Sequence, residues 1–224
     1  VGYDTTWSYI LSTGSGAVAT KTNGTLWVWG ANQGHLGQNN KTAYSSPVQV
    51  PGTTWRSVVC GQDARMATKT DGTLWTWGNN MDGASMQNNN PDSGTVRYLS
   101  PVQVGSGTDW SEKIIMGVAS GAIKTDGTLW VAGPNTTGVL GQNDRTSRSS
   151  PIQIPGTTWS EILIQSGSAA ALKTDGTIWA WGGNDNGELG QNNTTKYSSP
   201  VQIPGTTWSQ GSRKGGVLYY GYGM

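Results

Sequence analysis

Short apolar segments separated by Gly, Asn, Asp, Ser and Pro run along the whole chain, and none repeats its apolar residues at helical spacing. The sharpest of them is Lys173-Thr174-Asp175-Gly176-Thr177-Ile178-Trp179-Ala180-Trp181-Gly182. Copies span Lys21 to Gly30, Lys69 to Gly78 and Lys124 to Gly133, the last with Ala132 in place of the second tryptophan. Each copy opens on Asn-Gly or Asp-Gly, the pair that adopts the positive φ angles of a two-residue hairpin turn. In the first copy, period-two alternation puts Thr25, Trp27 and Trp29 on one face and Leu26 and Val28 on the other. Both faces are apolar, which suits a strand held between two neighbouring sheets rather than one facing water.

The copies belong to a longer unit. Trp7, Trp55, Trp110, Trp159 and Trp208 mark successive starts, so the period is about 50 residues, in the range of propellers and solenoids. A β-branched segment such as Trp159 to Ile164 leads to a small-residue segment, Ala169 to Lys173, then the hairpin and the Trp-rich strand. A polar loop follows, and then Ser-Pro-Val-Gln, whose prolines at Pro47, Pro101, Pro151 and Pro200 suit an edge strand. Each unit therefore supplies four strands, the content of one propeller blade. The pattern predicts an all-β, β-propeller domain over 1–224, with four full four-stranded blades at about 5–52, 53–107, 108–156 and 157–205. A partial C-terminal unit, 206–224, is expected to close it: Gly216-Val217-Leu218-Tyr219-Tyr220-Gly221 is a compressed version of the Trp-rich strand. The second unit departs from the others, with Ser85-Met86 where Leu36-Gly37 stands in the first and extra residues between Asn89 and Tyr98. Insertions of this kind map to loops on one face, often the binding face.

Composition sharpens this picture in two ways. Thirty-four glycines would point to disorder if scattered, yet they fall at fixed turn positions. The 14 basic and 13 acidic residues give no field for nucleic acid or an anionic membrane, and no apolar run is long enough to cross a bilayer as a helix. A nucleic-acid partner and membrane insertion are therefore not expected. Cys60, the one cysteine, reads as a structural thiol.

Chemistry is sparse. His35, the one histidine, has no nucleophile or relay partner at a readable spacing, and one Cys with one His makes no zinc set. Asn184 to Glu188 resembles a calcium loop only in passing and reads better as Asx turns. Glu112, Glu161 and the repeated aspartates offer no carboxylate pair for glycoside hydrolysis. Lys21, Lys69, Lys124 and Lys173 each precede Asp or Asn by two residues and read as turn residues with local pairing. No enzyme, cofactor or metal is expected. Tyr44, Tyr98, Arg148 and Tyr197 share one repeat position, just before Ser-Pro, and would stand on one rim of a ring, with Arg97 beside them. Tyrosine and arginine anchor many recognition surfaces, so these residues, with Met86 in the variant loop, are the candidate binding set.

The repeat Lys-Thr-Asp-Gly-Thr-Leu-Trp-x-Trp-Gly-x-Asn-x-x-Gly-x-Leu-Gly-Gln-Asn resembles the regulator of chromosome condensation family, over residues 5 to 208. That resemblance implies four-stranded blades around an axis, commonly seven of them. It also implies protein partners, since the founding member is an exchange factor for a small GTPase and another relative inhibits β-lactamase. The wording of the repeats is similar to proteins associated with marine bacteriophages. From this follows the expectation of a binding or structural module in a virion or extracellular particle, contacting neighbouring subunits, a host-surface glycan or protein, or a second copy of itself. The alternative is a cytoplasmic regulator or inhibitor of a single protein. If Trp179 fills an interface between blades, Trp179→Ala should cost roughly 3–5 kcal/mol of stability, read by denaturant unfolding.

Overall fold

The computed structural model describes residues 4–13, 16–61, 63–80, 83–89 and 96–208. Its sixteen strands form four antiparallel sheets, each built in chain order. The first blade holds β1 (Trp7–Thr13), β2 (Gly16–Lys21), β3 (Leu26–Gly30) and β4 (Tyr44–Gln49), and the second β5 (Trp55–Cys60), β6 (Ala64–Lys69), β7 (Leu74–Asn79) and β8 (Arg97–Gln103). The third holds β9 (Trp110–Met116), β10 (Ser120–Lys124), β11 (Leu129–Gly133) and β12 (Arg148–Gln153), and the fourth β13 (Trp159–Gln165), β14 (Ser168–Lys173), β15 (Ile178–Gly182) and β16 (Tyr197–Gln202). No α-helix occurs among the described residues. The inserted stretch 90–95 and the expected closing tail from 209 onward lie outside them.

One hydrogen-bonded device fixes the Asx-Gly hairpin between the second and third strands of each blade. In the second blade the Asp71 carboxylate accepts from the Thr73 amide at 3.0 Å and hydroxyl at 2.7 Å, while the Trp75 indole donates to that hydroxyl at 2.7 Å. Asn23, Asp126 and Asp175 build the same chain with Thr25 and Trp27, Thr128 and Trp130, and Thr177 and Trp179. Gly72 is required twice over: its φ is +78°, and a Cβ there would fall 1.9 Å from the Thr108 carbonyl of the next blade's leading segment. The lysines are not paired with these carboxylates, as the sequence reading had it. Each ammonium lies 4.0–5.0 Å over two indoles of its own blade, as Lys69 does over Trp55 and Trp75. The aspartates, already bonded to threonine, are spent on the turn.

Successive inner strands β5, β9 and β13 pack side by side, and the proline-bearing strands β4, β8, β12 and β16 form the outer edges. Within an inner strand, adjacent side chains face opposite neighbours. Val58 packs into the junction of blades one and two and Val59 into that of two and three; Ile114 and Ile115 divide in the same way. Leu26 and Val28 face the following blade, while Trp77 and Trp181 face the preceding one. The core is thus three interfaces between sheets, as the two-sided apolar pattern requires.

The indole that fills each interface is the second of the pair, not the first. Trp77 and Trp181 are fully buried and donate to the carbonyls of His35 and Val139 in the preceding blade, at 3.0 and 2.7 Å. Trp179 is half-buried beneath Lys173. At the middle junction the equivalent residue is Ala132, and the lost volume returns from the other side. Gly37 and Gly141 sit with their missing Cβ 3.1 and 3.0 Å from the indoles of Trp77 and Trp181, and the residue at that position in blade two is Met86. Met86 keeps the same left-handed backbone, φ +58°, and is 2% exposed in one cluster with Ala132 and Trp110. A Trp–Gly contact has become an Ala–Met contact.

Two outcomes follow for stability. Trp181→Ala should lose about 3–5 kcal/mol and Trp179→Ala clearly less, by denaturant unfolding. Ala132→Trp and Met86→Gly should each cost about 1–3 kcal/mol alone, and the double variant should recover at least about 0.5 kcal/mol relative to their sum. Strict additivity in that cycle would contradict the exchange of volume.

Candidate protein-binding face at the second and third blades

The loops after each Trp-rich strand are built around a buried asparagine that was not singled out from sequence: Asn32, Asn80, Asn135 and Asn184. The side-chain oxygen accepts a backbone amide across the loop, from Leu36 at 3.2 Å, Ser85 at 2.9 Å, Leu140 at 2.9 Å and Leu189 at 3.0 Å. The Asn32 amide donates back to the carbonyls of Asn40 and Thr42, both at 3.0 Å, and Asn184 does the same to Asn193 and Thr195. Its signal was present in the repeat as the invariant Asn two residues past Trp-Gly or its equivalent.

These loops hold the rim residues. Asn40 donates to the Tyr44 hydroxyl at 3.0 Å and Asn193 to that of Tyr197 at 3.2 Å, and Asn89 makes the same bond to Tyr98. In blade three the pair becomes charged: Arg148 Nη2 donates to Asp144 Oδ2 at 2.7 Å. The Thr146 amide, and then Arg148, hold the Asp144 carboxyl below the usual carboxylate range. The four residues do share one position in their blades, and all are half-buried. Each is anchored to its own loop, and Tyr44 and Tyr98 also cover the core between blades one and two. Arg97 reaches back one blade and donates to the Gln33 carbonyl. Met86, expected with them, is buried against Ala132 and also lines the floor of the cleft described below.

The middle junction is where the copies differ most. Blades one and three lead into the next through Pro51-Gly52 and Pro155-Gly156, but blade two does so through Gly105-Ser106-Gly107, one residue longer. Beside that segment lies a cleft of about 380 Å³, walled by Trp110, Trp130, Val104 and Pro151, with Gln87 and Asn88 at its polar side. Asn88 joins the two blades, since its amide donates to the Ser149 carbonyl at 2.9 Å and its side chain accepts from Ser150 Oγ at 2.7 Å. The Ser85-Met86 loop, Arg148 and Ala132 all belong to this same junction.

The remaining chemical candidates are engaged elsewhere. Glu112 pairs with Arg56 at 3.3 Å and Glu161 with Lys113, both between successive inner strands. The exposed Glu188 carboxylate accepts from the Asn186 amide of its own loop at 2.9 Å. No three metal-binding side chains stand together among the described residues. Burial pushes the half-buried Cys60 thiol up. No helix among the described residues is long and apolar enough to cross a membrane.

His35 is buried, with neither ring nitrogen hydrogen-bonded to protein and Nδ1 4.0 Å from Asp63 Oδ1. Burial, helped by the Arg65 guanidinium and opposed by Asp63, pushes it down from 6.5 to about 4. A lowered folded-state value means that the unfolded chain binds the proton first. The neutral ring's contribution is therefore whole above pH 6.5 and is lost as pH falls toward 4. The wild type should lose about 2 kcal/mol more stability than His35→Leu between pH 7 and pH 5, in paired denaturant titrations. Equal losses would remove His35 from the acid response.

With this geometry established, comparisons with known proteins give it a place. The model of the regulator of chromosome condensation (RCC1) repeat matches residues 23–67 and 175–210. A comparison with curated proteins found no match. Among solved structures, Prp20p of Saccharomyces cerevisiae superposes with a TM-score of 0.75 at 16% identity, over 92% of this chain and 52% of that one. Yeast RCC1 (Prp20) bound to Kap60 gives 0.76 at 16% identity, over 92% and 50%, and human WBSCR16 gives 0.70 at 19%, over 90% and 54%. The chain spans about half the length of the solved propellers it matches. The two matched repeats make the chain similar to RCC1-repeat proteins, and the shared fold is an all-β propeller with four blades among the described residues.

Proposed function

We propose that the chain is a non-enzymatic protein-binding module whose recognition surface is the outer face of the junction between blades two and three. The observation that carries this reading is the convergence of departures at that one place. Packing alone is satisfied twice, at the other two junctions, by a Trp against a Gly and a Pro-Gly connection. The middle junction abandons both and presents a cleft lined by Lys124 and by Ser150, two residues along β12 from Arg148. Its aromatic and proline walls with a polar side match the composition of protein-recognition sites.

The partner class follows from the fold's known uses. The structure of Prp20p is described together with its binding to Gsp1p and histones, and another holds it bound to Kap60. A protein partner therefore stands ahead of a glycan. Two settings are proposed for it: a virion or other extracellular particle, where it is a neighbouring subunit or a host-surface protein, and the cell interior, where it is a single regulated target. The second draws support from the protein complexes of Prp20; the first extends the wording of the repeats.

A photo-crosslinking residue at Ser150, beside the cleft, should label a partner from particle preparations or host lysate, while one at its repeat equivalent Ser46 should not. Equal labelling at both positions, or labelling at Ser46 alone, would move the surface elsewhere. Arg148→Ala should weaken recovery of that partner by roughly tenfold, about 1.4 kcal/mol, with little change in melting temperature.

A further inference from the structure

The cleft between blades two and three has apolar faces and a neutralised charge. Trp110 and Trp130 stand nearly at right angles, with ring centroids 6.4 Å apart and planes at 76°, and Val104 and Pro151 complete the walls. The Trp130 indole N–H is spent on Thr128 Oγ1 at 2.9 Å, so what remains of it for a ligand is ring surface. Lys124 is the one charged residue of the lining. Its ammonium is 3.1 Å from Asp109 Oδ2 and 5.0 Å over each of the two indoles. Asp109 holds the place of Thr54 and Thr158 before the leading tryptophans of the neighbouring blades, a substitution confined to this one of the three junctions.

The recurring ways of holding a peptide differ in what they demand of a surface. A helix is about 10–12 Å across with its side chains, too thick to be seated in a cleft of about 380 Å³. An added strand needs a free sheet edge, and here the edges are occupied. On β12, Pro151 has no N–H to give and the Ser149 carbonyl already accepts from the Asn88 amide at 2.9 Å. On β8, Pro101 interrupts the edge and the Leu99 carbonyl accepts from the Asn39 amide at 2.8 Å. A phosphorylated, acidic or carboxyl-terminal motif needs a free cation, whereas Lys124 and the nearby Arg148 each hold a carboxylate.

One mode is left, and the cleft has what it asks for. A polyproline II segment turns once in about three residues, makes no internal hydrogen bonds and docks its rings on aromatic walls. Its carbonyls accept and its prolines donate nothing. Asn88 suits it, because its side-chain oxygen is taken by Ser150 Oγ at 2.7 Å and its amide nitrogen remains for a peptide carbonyl. Taking this cleft as the recognition surface, we propose that it seats an uncharged, proline-rich segment of the partner, extended as a polyproline II helix between Trp110, Trp130 and Pro151. The preformed, low-entropy helix compensates for the small area that the cleft can bury.

The test is titration of the full 224-residue chain, ¹⁵N-labelled at its indoles, with an acetylated nonaproline peptide and with a Gly-Ser peptide of equal length. Nonaproline should bind with a Kd below about 1 mM and shift the indole signals of Trp110 and Trp130, leaving those of their repeat equivalents Trp55, Trp75, Trp159 and Trp179 in place. The Gly-Ser peptide should shift none. Ser150→Trp, which fills the cleft, should weaken binding at least tenfold, and its repeat equivalent Ser46→Trp should bind like wild type. The wild-type spectra carry the result by themselves if Ser150→Trp melts early. No shift with nonaproline, shifts at the repeat equivalents instead, or a neutral glucose oligomer that shifts Trp110 and Trp130 where nonaproline does not would each overturn the proposal. Nonaproline should also compete with photo-crosslinking at Ser150. A partner captured there that nonaproline does not displace would leave the recognition surface standing and remove the proline-rich ligand; loss of both would remove the surface as well.

Discussion

Every blade here is a sheet with two apolar faces, and a sheet of that kind gains stability from each face that another sheet covers. The rest of the structure follows from this requirement. It explains why the Trp-rich strand is kept so closely between copies, why the hairpins end on Asx turns that leave no loose polar groups, and why the inner strands alternate their neighbours residue by residue. It also makes the molecule a chain of nearest-neighbour interfaces, in which blades two and three have two partners and blades one and four have one.

Within that scheme a junction can change its parts without losing its packing. The middle junction replaces an indole by Ala132 and fills the space with Met86 from the opposite blade, at the expense of a non-glycine residue in the left-handed region. This exchange relieves the junction of the stereotyped surface shared by the other two, and the longer Gly105-Ser106-Gly107 connection opens a cleft beside it. Structural departure and candidate recognition thus come from the same few residues.

The architecture was legible in the sequence because it repeats. A period near 50, Asx-Gly corners and two-sided strands define blades, strand order and edge prolines without reference to any contact. Contacts between blades were less legible. Which tryptophan crosses the interface depends on sheet orientation, so Trp179 and Trp181 could not be told apart from alternation alone. Met86 looked like an exception aimed outward because its partner, Ala132, lies 46 positions on, in another repeat. The lysines looked like turn residues because the carboxylate two positions on is a nearer partner in sequence than the indoles that surround each ammonium in space.

The central claim is that stability resides in the junctions and falls off toward the uncovered ends. Native-state hydrogen exchange tests this most directly. Amides of β6 and β10, in blades flanked on both sides, should exchange only through global unfolding, while those of β2 and β14 open at a distinctly lower free energy. Uniform protection across all four blades would contradict the account.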